Sequence, residues 1–217
     1  MPLVLASLFP IITLSLYVSG VALVIATAIG VPFGAGLALR PVPGKTLIVL
    51  LIYTGMGLPP VVVGLFVYLL LSRAGPLGWL NWLFTPPAMI AAQVIIALPL
   101  VVGLTMSAVQ SVDPALRLQV RSLGATPAQV MWTVLAESRP GVVAAILAAF
   151  GGIISEVGAV MLVGGNIEGG TRVLTTAIVL ETRKGNFELA LALGGALLAL
   201  AFFSNLLLVR LSGRRAN

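Results

Sequence analysis

Five apolar runs long enough to cross a bilayer, with one polar segment between the third and fourth, constrain this chain more than any other feature. A hydrocarbon core of roughly 30 Å needs about 20 apolar residues per crossing helix. The runs fall at about 11–39, 47–71, 88–109, 140–163 and 187–209 of the 217 residues. Backbone groups in lipid find no water to bond, so each run is expected to be a helix. The fold class that follows is an all-α integral membrane protein forming a single transmembrane domain over 1–217. The balance of residues agrees, because only 8% are charged against 59% hydrophobic, and no soluble fold of this size hides so much apolar surface. Residues 1–10 carry no basic stretch and do not read as a cleavable signal.

The net charge of +6 does not point to nucleic acid, since the basic residues are scattered among the loops between apolar runs. Sorting them by side gives an orientation. Arg40, Lys45, Arg117, Arg121, Arg139, Arg210, Arg214 and Arg215 fall on one side, and Arg73, Arg172, Arg183 and Lys184 on the other. The side with eight is expected in the cytoplasm, which places the amino terminus outside and the carboxy terminus inside. Trp79, Trp82 and Phe84, in the loop at 72–87, suit the outer water–lipid boundary. A sixth crossing at 171–180 fails on length, so the outer segment 164–186 is expected to hold a short or re-entrant helix. Proline predicts kinks at Pro32, Pro59-Pro60 and Pro99, and Gly30 and Gly34, four apart, permit another helix to approach closely.

The polar segment 113–139 reads as two short helices. Asp113-Pro114 is a helix start, with a side-chain acceptor followed by a residue that has no donor to lose. Leu116, Val120 and Leu123 then share a face, with Arg117 and Arg121 alongside, and Gly124 supplies a left-handed stop. Thr126-Pro127-Ala128-Gln129 restarts the chain as a capping box, and Val130, Val134 and Met131 form the next apolar face. Such a pair either lies on the membrane surface or docks to a partner.

Chemistry is sparse. With no Cys and no His, there is no Cys/His metal site and no imidazole-assisted nucleophile. Gly44-Lys45-Thr46 lacks the earlier glycine of a phosphate loop, since that position is Leu39. Glu156 stands inside the fourth run, where a carboxyl group must be paired, hydrogen-bonded or protonated. An anchor for neighbouring helices is favoured over a proton or cation relay, because no intramembrane Asp, His or Lys accompanies it.

Val120-Arg121-Ser122-Leu123-Gly124-Ala125, followed by a helix and an apolar run, resembles the cytoplasmic coupling loop of ABC importer permeases. The acidic residue and alanine often found six and five positions before that glycine are replaced by Leu118 and Gln119. Ser155-Glu156-Val157-Gly158-Ala159, Gly164-Gly165-Asn166-Ile167 and Thr171-Arg172-Val173-Leu174-Thr175-Thr176-Ala177-Ile178 look like the signature of molybdate, tungstate and sulfate permeases. Leu180-Glu181-Thr182-Arg183-Lys184-Gly185-Asn186-Phe187 looks most like the tungstate branch. The resemblance implies a non-catalytic permease of type I architecture that pairs with a second copy of itself. It also implies two separate ATPase subunits, which would bind the ATP and magnesium that this chain does not, and an extracytoplasmic oxyanion-binding protein. Arg117, Val120, Arg121, Ser122, Leu123, Gly124 and Ala125 are then the expected contacts to the ATPase. Ser155, Asn166, Thr171, Arg172, Thr175 and Thr176 are candidates for the path or gate, with Glu156 beside them. An ionised Glu156 would repel a dianion, so direct contact with substrate is not expected of it. A stand-alone channel or secondary carrier is the competing reading.

Overall fold

The computed structural model describes residues 2–212, and all of its regular structure there is helical. Arg214 and Arg215, counted above for orientation, lie outside the described residues. The helices are α1 (Pro2–Leu39), α2 (Lys45–Met56), α3 (Pro60–Leu71), α4 (Pro86–Gln110), α5 (Pro114–Ser122), α6 (Pro127–Glu137), α7 (Arg139–Ile154), α8 (Gly158–Gly164), α9 (Leu174–Arg183) and α10 (Phe187–Ser212). Three stretches are each long and apolar enough to cross a membrane: Leu8–Leu39 of α1, all of α4, and Phe187–Ser204 of α10.

Two expected spans are broken rather than continuous. The run 47–71 divides into α2 and α3, which meet at 101°, a sharper turn than a proline kink. Gly57 ends α2, and Pro59, as the residue before Pro60, is held extended at φ −61°, ψ 122°. Tandem prolines thus remove two donors and forbid the helical conformation at one position. Pro32 and Pro99 act singly, and α1 and α4 run through them unbroken. The run 140–163 divides into α7 and α8 at Ser155, Glu156 and Val157. The first helix begins earlier than expected, at Pro2, and its apolar crossing stretch at Leu8.

α1 and α4 form the spine, and small residues set their separation. A Cβ on Gly34 would stand 2.6 Å from the carbonyl oxygen of Val102, and one on Gly30 2.8 Å from Val101 Cγ1. The glycine pair therefore makes the close approach its spacing predicts. Ala22 and Ala26 of α1, Ala97 and Val101 of α4, and Ala149 and Ile153 of α7 continue the seam. At one end α3, α4 and α8 close over Met89, Val160 and Val163, where Gly64 lies against the backbone of Ala159. At the other, Val109, Val130, Val134 and Val142 join α4, α6 and α7. Removal from water does not drive contacts between helices in lipid, so tight packing of small residues supplies the cohesion.

Candidate functional site

The polar segment is built as its caps predict. Asp113 accepts from Ala115 N at 2.8 Å. Thr126 N donates to Gln129 Oε1 at 2.7 Å while Gln129 N donates to Thr126 Oγ1 at 3.3 Å, completing the capping box. α5 ends in a Schellman turn: Gly124, at φ +82°, donates to Arg121 O at 2.9 Å, and Ala125 donates to Val120 O at 3.3 Å.

Packing then sorts the expected contact residues. Leu116, Val120 and Ala125 lean on the cluster around Val109 and Val134, joined by Val130 and Met131 and by Leu135, which the pattern did not single out. Leu123 does not share that face. It is the residue after the last helical turn, the chain has begun to reverse, and its side chain is 87% exposed. Arg117 is half-buried and its guanidinium donates to Val109 O at 3.0 Å, meeting one of the open carbonyls at the end of α4. What faces outward is Leu118, Arg121, Ser122, Leu123 and Gly124, together with Trp132 on α6 at 66% exposure. Leu118 and Trp132 were not anticipated as contacts. Trp132 sits off the apolar face of α6, and that displacement was its available signal.

The second group gathers around the break between α7 and α8. Oε1 of Glu156 accepts from Ala159 N at 2.9 Å, meeting a donor in the first turn of α8. The carbonyl of Glu156 accepts from Thr175 Oγ1 at 2.9 Å, so Glu156 anchors one half-helix and is itself held by α9. Across the break, the carbonyl of Ile153 accepts from the side-chain amide of Gln93 at 3.0 Å. Gln93 was missed, although it is the lone amide in an otherwise apolar run. Ser155 is exposed, and its hydroxyl donates to Gly151 O at 2.8 Å.

The remaining path candidates serve the segment 164–186. Thr171 is buried, donates to Gly164 O at 2.5 Å and accepts from Ile167 N at 3.0 Å, closing the loop after α8. Asn166 forms that loop's left-handed turn at φ 53°. Thr176 is buried and accepts from Val173 N at 3.1 Å, and Leu174 N donates to Ser15 Oγ of α1 at 2.8 Å. Thr171, Thr175 and Thr176 thus have their hydroxyls inside the protein rather than along a surface. Arg172 pairs with Glu168 at 3.3 Å and lines a cleft of about 710 Å³ between α1, α9 and α10. In the same cleft Lys184 bonds Glu181 at 2.8 Å and Asn186 bonds it at 3.1 Å. The Lys184 hydrogen bond, more than any other influence, holds the Glu181 carboxyl below its ordinary value, and burial only partly opposes it.

This is an all-helical polytopic membrane protein, with broken helices and a capped pair of short helices between α4 and α7. Residues 30–217 match the model of the binding-protein-dependent transport system inner membrane component family, and the chain belongs to that family. It is 48% identical over 97% of its length to a probable anion ABC transporter permease protein of Haloferax volcanii, covering 93% of that protein. It is 40% identical to a tungstate uptake system permease of Peptoclostridium acidaminophilum, over 91% of this chain and 86% of that one. To a molybdenum transport system permease of Escherichia coli it is 31% identical, over 94% and 95%. The fold is shared with an amino acid ABC transporter crystallised with histidines, at a TM-score of 0.69 and 19% identity, covering 98% of this chain and 94% of that one.

Proposed function

We propose that the chain is the membrane-spanning subunit of an ATP-driven importer of tetrahedral oxyanions, with tungstate the first substrate to test and molybdate and sulfate its rivals. The exposed tip of α5 carries the reading. A fully capped helix whose end presents Leu118, Arg121 and Leu123 to water has a use if a separate ATPase covers it, and a stand-alone channel or carrier has no need of one. The tungstate and molybdenum permeases among its relatives support the substrate class.

In this reading five spans cross the membrane: α1, the bent pair α2–α3, α4, the broken pair α7–α8, and α10. The amino terminus lies outside, and α5 and α6 lie in the cytoplasm. Two copies enclose the path, because a single chain of five spans makes half of a two-fold pore. ATP and magnesium act in the ATPase subunits, and a binding protein delivers the anion to the outer face. Ser155, exposed at the break, remains the path candidate best placed to meet it.

The test is reconstitution with the ATPase and binding protein, following uptake of tungstate, molybdate and sulfate in competition. Uptake that persists without ATP would overturn the mechanism, whereas preference for molybdate would overturn only the choice of anion. Gly124→Arg, which puts a bulky cation on a left-handed turn, should abolish co-purification of the ATPase. An intact complex with normal uptake would count against docking at this tip.

A further inference from the structure

In a continuous helix the carbonyls of Ile153 and Glu156 would accept from the backbone four residues on. At the break each has a side-chain partner from another helix. Gln93 of α4 donates to Ile153 O at 3.0 Å, and Thr175 of α9 donates to Glu156 O at 2.9 Å. Glu156 Oε1 holds the first turn of α8 through Ala159 N. The Ile153 carbonyl, in the last turn of α7, also accepts from Glu156 N at 3.3 Å. Gln93 ties it to a long helix of the spine, while the first residues leading into α8 are tied to a short helix of the outer segment. That short helix is tied in turn to α1, where Leu174 N meets Ser15 Oγ. Gln93 is buried, and its Oε1 has no partner among the described residues, which leaves an acceptor beside the break for a donor in some other arrangement.

We propose that Gln93 and Thr175 are positioning residues of the transport cycle. They hold the two sides of the α7–α8 break from different helices, so that a displacement of α9 on the outer face changes the angle at Ser155. The inference rests on the importer reading above and adds to it a route by which the outer face signals to the membrane path. Both side chains are buried and donate to backbone carbonyls. The coupling is a two-point clamp: α4 fixes one carbonyl, α9 carries the other, and Ser155 and Glu156 turn between them.

Thr175→Val removes the hydroxyl and preserves shape, Thr175→Ser restores the donor, and Gln93→Met removes the other tie. In proteoliposomes holding permease, ATPase and binding protein, Thr175→Val and Gln93→Met should raise the ATP consumed per anion imported by a factor of about 5 or more. Thr175→Ser should return it to the wild-type ratio. In the purified permease, amides 154–160 should exchange faster in Thr175→Val and Gln93→Met, with the α1–α4 seam unchanged. The inference is overturned if Thr175→Val transports with wild-type coupling and wild-type exchange. It is equally overturned if Thr175→Val loses assembly, ATP hydrolysis and uptake in proportion, without rescue by Thr175→Ser, which marks a merely structural bond. Wild-type vesicles with no ATP-driven uptake would instead overturn the importer reading, and this inference with it.

Discussion

The guanidinium of Arg117 donates to the carbonyl of Val109 at 3.0 Å across eight residues of chain, fastening α5 to the end of α4. Asp113 caps the helix between them, so the turn at 111–113 is held from both sides. Replacing Arg117 with Met keeps the stem and loses the donor. A hydrogen bond from a charged group is worth about 1.5–3 kcal/mol, and its loss should appear as faster exchange at 114–123 with α4 itself unaffected. Unchanged exchange would show that the Schellman turn alone holds α5.

Gly34 tests the spine. A side chain there meets the Val102 carbonyl, which belongs to backbone and cannot yield, whereas a Cβ on nearby Gly36 meets nothing within 4 Å. Gly34→Val should cost about 1–3 kcal/mol from overpacking, lowering the yield of folded permease in detergent. Gly36→Ala should leave that yield intact. Equal yields for the two variants would contradict the α1–α4 contact described here.

Glu156 separates charge from geometry. Gln retains an oxygen that can accept from Ala159 N, and Leu does not. Glu156→Gln should keep fold and uptake close to wild type, while Glu156→Leu should lose a cap worth about 0.5–2 kcal/mol and unfold at lower temperature. Loss of uptake in a well-folded Glu156→Gln protein would show that the negative charge itself is required.

Glu181 sets a pH dependence on the segment 164–186. Its carboxyl is held below the ordinary value, chiefly by Lys184, so it binds protons less readily folded than unfolded. Its contribution to stability is complete above the unfolded value of about 4.3 and is lost as the pH falls through the lower folded value. Carbon NMR of labelled Glu should find Glu181 titrating below the ordinary glutamate value, and Lys184→Met should move it upward. A titration indifferent to Lys184→Met would break the assignment.

Much of the helix pair at 113–139 was legible because its signals are local. Asp113, Gly124, Thr126 and Gln129 each act on backbone within a few positions, and caps read from sequence survive into any fold that keeps the helix. The exposure of Leu123 was not legible. Heptad spacing placed it with Leu116 and Val120, but it follows the last turn of α5, where helical periodicity no longer says which way a side chain faces. The same limit applied to Thr171, Thr175 and Thr176. Hydroxyls in an apolar segment advertise polarity, and nothing in their spacing reveals that Gly164, Glu156 and Val173 are the partners that use them.

By itself the sequence determined the helical, membrane-embedded character of the protein, the close approach at Gly30 and Gly34, and the capped pair of helices at 113–139. Composition, small-residue spacing and caps act over one helix or less, and lipid leaves the backbone no alternative to internal hydrogen bonds. The tandem prolines mark the break between α2 and α3 in the sequence, whereas tertiary structure decided the break between α7 and α8 and what holds its two sides. The carbonyl of Ile153 is met by an amide 60 residues away, and the first turn of α9 by a hydroxyl 159 residues away. At the α7–α8 break, side chains of other helices add to the local backbone bonds, and such partners are known only when the chain has been packed.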